Sequence, residues 1–228
     1  MTSPARRHFQ RASAKLASAS AGAGETMIGS AYELMLAKLA IDKRRLKEIK
    51  SIARKIEVKR AELLPEYVEY ISGALSGGRG AQDDVLTTVM IWRVDVGDFA
   101  GALDIARYAI EHRMTLPDQY DRTLSTAVAE EFAEASLSSF KKDADGDRVS
   151  VAQLMEVAQL TESHDMHDQV RAKLHKAIGY TLDRAGDSPA ALEHLRRALE
   201  LDERAGVKQD IARIEKASNA AGTNAGRT

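Results

Sequence analysis

Two adjacent carboxylates, Asp83 and Asp84, precede the apolar run that begins at Val85. Carboxylates near a helix start are favoured by the free N–H groups and by the macrodipole. A metal role would need further oxygen ligands. Asp95 shares a helical face with Asp84, but 11 residues on, about 16 Å away and too far to share one ion. Asp143, Asp145 and Asp147 around Gly146 resemble the opening of a calcium loop. The glycine is misplaced and Leu154 stands where the closing Glu belongs, so the segment reads as an acidic, helix-breaking loop. His164 and His167 have the i, i+3 spacing of a metal pair, yet they sit where a helix begins, with Asp168 placed to cap Val170–Lys176. His175 and His194 fall inside helical patterns, at packed or surface positions. Ser76–Gly80 (SGGRG) lacks the Lys-Ser/Thr of a phosphate loop and follows no strand, so it reads as a turn. Glu57-Val58-Lys59 matches only the last fragment of a metal-dependent nuclease signature, in a basic helix without the strands that motif needs. No Ser-His-Asp set is visible, and the chain has no Cys, which excludes thiol catalysis and Cys-based zinc sites. The residues therefore give no catalytic group, no metal ligand and no cofactor. Mg²⁺ would enter only with an intrinsic nuclease activity.

Cations carry the clearer chemistry. The net charge of −1 averages two unlike parts. Residues 1–60 hold 14 Lys/Arg against five acids, a net +9, and the remaining 19 basic and 29 acidic residues give −10. A basic head on an acidic body points to a polyanionic partner for the head. The candidate nucleic-acid contacts are Arg6, Arg7, Arg11 and Lys15 near the amino terminus, then Lys43, Arg44, Arg45, Lys47, Lys50, Arg54 and Lys55. Only Phe9 and Tyr32 are aromatic in this part. Phosphate contact along a duplex is favoured over base stacking on a single strand.

The elements that must position these residues are helical. The 228 residues are 44% hydrophobic but only 5% aromatic, and Ala, Leu, Glu, Lys and Arg dominate, so the expected fold is all-α. No apolar run is long enough to span a membrane, and no apolar signal core follows the basic start, so the expected location is cytosolic. Residues 1–29 read as a flexible basic arm. Ser18–Gly24 forms its tether, and the arm either lies on phosphates or serves only as a soluble tail. Residues 30–76 read as a long basic helix region, with its longest pattern over 30–63. Leu39, Leu46, Ile49, Ala53, Ile56 and Leu63 follow an a/d spacing, with Asp42 and Arg60 at the two missing seam positions. The seam serves self-association through Leu39, Leu46, Ile49, Ile56 and Leu63, or it packs on the same chain. Pro65 ends or restarts the helix.

Residues 77–217 read as a helical-hairpin domain. Val85, Val89 and Trp92 share one face of a first helix. Ala102, Leu103, Ala106, Ala109 and Ile110 share one face of a second. Gly97-Asp98 joins them, Gly for the left-handed turn and Asp for the cap. The pattern recurs 89 residues on: Gly186-Asp187, then Ala191, Leu192, Leu195, Ala198 and Leu199. Two further patterns, about 122–140 and 150–161, lie between the copies, and a helix over about 207–217 closes the body. Three stacked helix pairs make a short tetratricopeptide-like array, which either docks a partner or forms the domain core. Residues 218–228 read as a disordered tail.

Several of these stretches together resemble the GpM-type small terminase subunit family of tailed phages. The matching blocks are MTSPARRH at the start, ELLP (62–65), GAQDD (80–84), TVM-W-R, GD-x-AGAL-x-IARYA, T-x-P and VRAKLHK (170–176). The resemblance implies a subunit that binds the packaging (cos-type) site on concatemeric viral DNA. It also implies a homo-oligomer that recruits or regulates the large ATPase subunit in the host cytoplasm. The family is commonly labelled the endonuclease subunit, so an intrinsic endonuclease and a helical-repeat adaptor without a DNA role stand as alternatives.

Overall fold

The computed structural model describes residues 3–117, 122–142 and 148–225. Among them the fold is all-α, and outside the helices only isolated bridges link Gly22 to Gly80 and Thr26 to Gln82. The acidic loop of Asp143, Asp145 and Asp147 lies outside the described residues. No helix is long and apolar enough to cross a membrane. The chain forms two compact units, residues 1–124 and 125–228.

The first unit begins with α1 (Pro4–Ser20), capped by Ser3, whose Oγ accepts from the Arg6 amide. The sequence reading expected a flexible arm here. Instead α1 lies along α4 (Leu64–Gly77). Its small residues permit close approach: Ala14 is fully buried, and the Ser18 hydroxyl donates to the Ala74 carbonyl at 2.9 Å. A Cβ on Gly73 would lie 2.3 Å from the Arg11 carbonyl oxygen, so only glycine fits at that crossing. The following turn is tied down as well. The Met27 amide donates to the Gln82 carbonyl and the Gln82 amide to the Glu25 carbonyl.

The expected long helix is divided. α2 (Ser30–Glu48) ends where Ile49 turns extended. Ser51 then caps α3 (Ile52–Val58), accepting from the Arg54 amide. A π-helical turn, Lys59–Leu63, leads into α4. Pro65 at the start of α4 has no N–H to donate, and the wider turn before it absorbs that loss. α5 (Asp84–Asp95) and α6 (Phe99–Glu111) form the first hairpin. Its helices pack with the amino-terminal ones: Tyr67 meets Trp92 edge-on at 6.0 Å. The sequence reading had grouped this hairpin with the later pairs.

The second unit holds α7 (Leu124–Lys142), α8 (Val151–Thr161), α9 (Asp168–Arg184), α10 (Ser188–Leu201) and α11 (Lys208–Ala225). Ser150 and Gln153 form a reciprocal capping box on α8. α9 and α10 approach closely at Gly179, where a Cβ would meet the Leu195 side chain at 2.7 Å. Leu195, Val207 and Ile214 join α10 to α11. α11 runs on to Ala225, through most of the expected tail, because Ala220 and Ala221 continue the helical run.

Candidate nucleic-acid interface

The α2–α3 break makes a corner in the chain, with cations on both of the helices that meet there. Lys43, Arg44 and Lys47 come from the last turns of α2, Lys50 from the break and Lys55 from α3. These five carry no ion pair among the described residues. Arg44, Lys47 and Lys50 are exposed; Lys43 and Lys55 are half-buried. Burial lowers the pKa of Lys43, and the neighbouring Lys47 acts in the same direction against the Asp84 carboxylate. The other two candidates of this segment are engaged. Arg45 pairs with Glu62, and Arg54 with Glu57 at 2.7 Å. On α1, Arg6, Arg7 and Lys15 are exposed without an ion pair among the described residues, whereas Arg11 meets Glu69 at 2.5 Å. Eight of the eleven candidate cations thus remain open to an anion. Exposed pairs such as Arg45–Glu62 are weak enough to be exchanged for a phosphate.

The expected seam is not a free stripe. Leu39, Leu46 and Leu63 are buried in the chain's own fold, and Ile49 and Ile56 are half-buried. The break at Ile49 separates the two halves of the seam. Its polar position, Asp42, is buried and receives hydrogen bonds from Tyr67 Oη at 2.7 Å and Lys38 Nζ at 2.8 Å. Arg60, at the other gap, donates to the Val96 carbonyl at 2.5 Å.

The carboxylates and histidines are placed for structure. Asp83 is fully buried. Its Oδ1 accepts from the Val85 and Leu86 amides, and its Oδ2 from the Tyr70 hydroxyl at 2.7 Å. Asp84 accepts from Gln82, Asp95 pairs with Lys59, and Asp98 and Asp187 cap α6 and α10. Glu57 and Lys59 lie on helical segments with partners of their own. The Gly80 amide donates to the Tyr108 hydroxyl, so the glycine-rich turn is packed. Asp168 opens α9 and does not cap it; His167 holds the cap position without a side-chain bond. His175 and His194 meet Nδ1 to Nδ1 at 3.0 Å, and burial pushes His175 down to about 4. Among the described residues no group of three or more His, Asp or Glu is placed to hold a metal ion.

A helix break flanked by unpaired cations, on an all-α chain, fits the resemblance above. A family model described as the phage small terminase subunit matches residues 36–169. The chain is 47% identical over 216 residues to the "Terminase, endonuclease subunit" of Escherichia phage P2, covering 95% of this chain and 85% of that protein. It belongs to the phage small terminase subunit family. It is also 25% identical over 205 residues to the "Probable terminase, endonuclease subunit" of Haemophilus phage HP1 (strain HP1c1), covering 84% of this chain and 72% of that protein. No solved structure matches the chain. The family stretch includes the basic corner, both helices of the first hairpin and the entry to α9. Sequence reasoning missed the corner because it read residues 30–63 as one helix. Ser51, three residues before the Arg54 amide that it caps, was the available signal.

Proposed function

We propose that this small terminase subunit of phage DNA packaging binds the packaging site on duplex viral DNA through the α2–α3 corner, with α1 adding further phosphate contacts. The unpaired cluster of Lys43, Arg44, Lys47, Lys50 and Lys55 carries the reading. Cations with no carboxylate to leave can neutralise phosphates and release counterions. As a homo-oligomer in the host cytoplasm, the subunit brings the large ATPase subunit to the bound site. The second unit supports that docking role. It holds none of the eleven candidate cations, and an open groove along α8 and α9 is lined by Met155, Glu156, Arg171 and His175.

The test is charge reversal at Arg44, Lys47 and Lys50, read by DNA retardation across a salt series. The expected result is a loss of affinity of about 100-fold or more, with the slope of log K against log salt falling by about one for each phosphate contact removed. A folded triple variant with unchanged affinity and slope would overturn the corner as the contact surface.

The names of both relatives favour a second reading, in which the subunit itself cuts DNA. Purified protein with Mg²⁺ and packaging-site DNA, without the large subunit, decides it. Cleavage lost in a folded Asp84→Asn variant would establish that reading, and no cleavage would remove it.

A further inference from the structure

The second unit brings two histidines face to face, and the reading above makes no use of them. His175 lies on α9 and His194 on α10, 19 residues apart in the chain. Their Nδ1 atoms are 3.0 Å apart, with the ring planes tilted by 32°. Both rings are half-buried on well-packed helices: the adjacent Leu174 and Leu195 are buried, and Gly179 leaves room for the Leu195 side chain between α9 and α10. An open pocket of about 370 Å³ adjoins the pair, lined by Glu193, Arg197 and Glu200 together with both rings. His175 also lines the α8–α9 groove, so the pair is reached from two openings.

We propose that His175 and His194 together bind one divalent transition-metal ion through their two Nδ1 atoms, tying α9 to α10. The spacing decides the class of ion. With metal–nitrogen bonds of about 2.05 Å, nitrogens 3.0 Å apart subtend about 94° at the ion. That is close to the angle between adjacent positions of a square or octahedral centre, the preference of Cu²⁺ and Ni²⁺. A tetrahedral Zn²⁺ needs about 3.3 Å, a few tenths more. Mg²⁺ and Ca²⁺ take oxygen ligands and are disfavoured by the donor type. The protons balance. At pH 7.5 an imidazole is neutral, so the two rings hold two N–H groups between them. Without metal, one ring donates its Nδ1 proton to the other's Nδ1 lone pair. With metal, both protons sit on Nε2 and both Nδ1 lone pairs go to the ion. The exchange is a shift of tautomer in one ring, with no net proton released. The fixed charges nearby offset one another. Arg171 donates to the Thr161 and His164 carbonyls, Arg197 pairs with Glu200 at 2.9 Å, and Glu193 and Glu156 place carboxylates at the two openings. The chain has no Cys to compete for the ion. Two histidines are the whole protein ligand set, so water fills the other positions and binding is reversible, unlike that of a closed four-ligand centre.

The test is calorimetric titration of the full, untagged chain at pH 7.5 with NiCl₂ and, separately, with MgCl₂. The expected result is saturable binding of one Ni²⁺ per chain and none of Mg²⁺. Affinity for Ni²⁺ should fall about 10-fold or more in His175→Ala and in His194→Ala. The double variant His164→Ala with His167→Ala, which removes the other pair of nearby histidines, should bind as the wild type does. A measurement on the wild type covers the case in which a single variant fails to fold. The ring resonances of the six histidines are followed as Cu²⁺ is added below one equivalent, and those of His175 and His194 should broaden first. Absence of saturable Ni²⁺ binding would overturn the proposal. So would unchanged affinity in either folded single variant, or broadening that begins at His164 and His167.

Discussion

The hairpins α5–α6 and α9–α10 are closed by the same turn but held by different surroundings. Gly97 and Gly186 adopt φ 85° and 86°. The next residue's amide reaches back to a carbonyl five residues earlier, Asp98 to Arg93 at 2.9 Å and Asp187 to Leu182 at 3.0 Å. Each aspartate then caps the amide three residues on, at Gly101 and Ala190. The differences begin one layer out. α5 starts at the buried Asp83, whereas α9 starts at His167 with no side-chain bond. Arg93 and Gly101 of the first hairpin correspond to Leu182 and Ala190 of the second. The turn is a local device set by two residues. What the chain does with each hairpin is decided by the neighbours.

The largest contrast lies at the helix starts. Asp83→Ala removes acceptors from two backbone amides and from the Tyr70 hydroxyl in a fully buried site, so we expect a loss of about 3 kcal/mol or more. His167→Ala should stay within about 0.5 kcal/mol of the wild type. Fluorescence of Trp92, the sole tryptophan, reports the first unit in urea, and circular dichroism reports both variants. A loss under about 1 kcal/mol at Asp83 would show that the cap does not anchor α5. The same carboxyl carries a pH signature. Burial raises Asp83 from 3.8 to about 6, against the bonds from Tyr70, Leu86 and Val85. A folded pKa above the unfolded one means that the folded state holds the proton more tightly. The stability from this group is fully present below about 3.8, falls as pH rises to about 6, and stays lower above it. Stability of the wild type relative to Asp83→Asn should therefore decline across that window. A flat difference would show that the carboxyl is not held in its raised state.

The next contrast is at the first turn of the second helix. A Cβ on Gly101 would lie 1.8 Å from Arg93 Nη1 and 2.5 Å from Asp98 Oδ2. Gly101→Ala must displace the arginine and break its 2.9 Å pair with Asp98, at a cost of about 2 kcal/mol. Ala190→Gly should cost about 1 kcal/mol through helix propensity alone. Arg93→Leu with Gly101→Ala copies the second hairpin into the first. It should recover part of the single-variant loss, and a strictly additive double variant would mean that the two positions are not coupled.

How much of this could be read in advance follows the same division. The Gly-Asp turns, their caps and the 89-residue echo were legible because two or three adjacent residues specify them. So was the all-α fold, and so was the excess of cations before residue 60. The misread segments depend on what lies opposite. Ser18–Gly24 is poor in large side chains, which fits a tether equally well as a helix end and turn in which Ser18 bonds to the Ala74 carbonyl. Leu39, Leu46 and Leu63 have the spacing of a partner-facing seam, and the tyrosines of α4 claim that side of the helix instead. Asp42 looked like a gap in the seam and is the acceptor that makes Tyr67 burial possible. The corner itself depended on one residue, Ser51, whose capping signal sits inside an otherwise continuous helical pattern.

The smallest effect is the one that should not differ between the hairpins. Gly97→Ala and Gly186→Ala each force a Cβ into a left-handed conformation, at a cost of about 1 kcal/mol. No other atom lies within 4 Å of the added Cβ at Gly186, so its cost is purely conformational. If the turn is one device used twice, the two variants should agree within about 0.5 kcal/mol. Trp92 fluorescence measures the first, and amide exchange in α9 and α10 the second. A clearly larger loss at Gly97 would mean that the buried hairpin adds a packing term at the turn itself. The neighbours would then begin to differ at the glycine, inside the layer that the two sequences share.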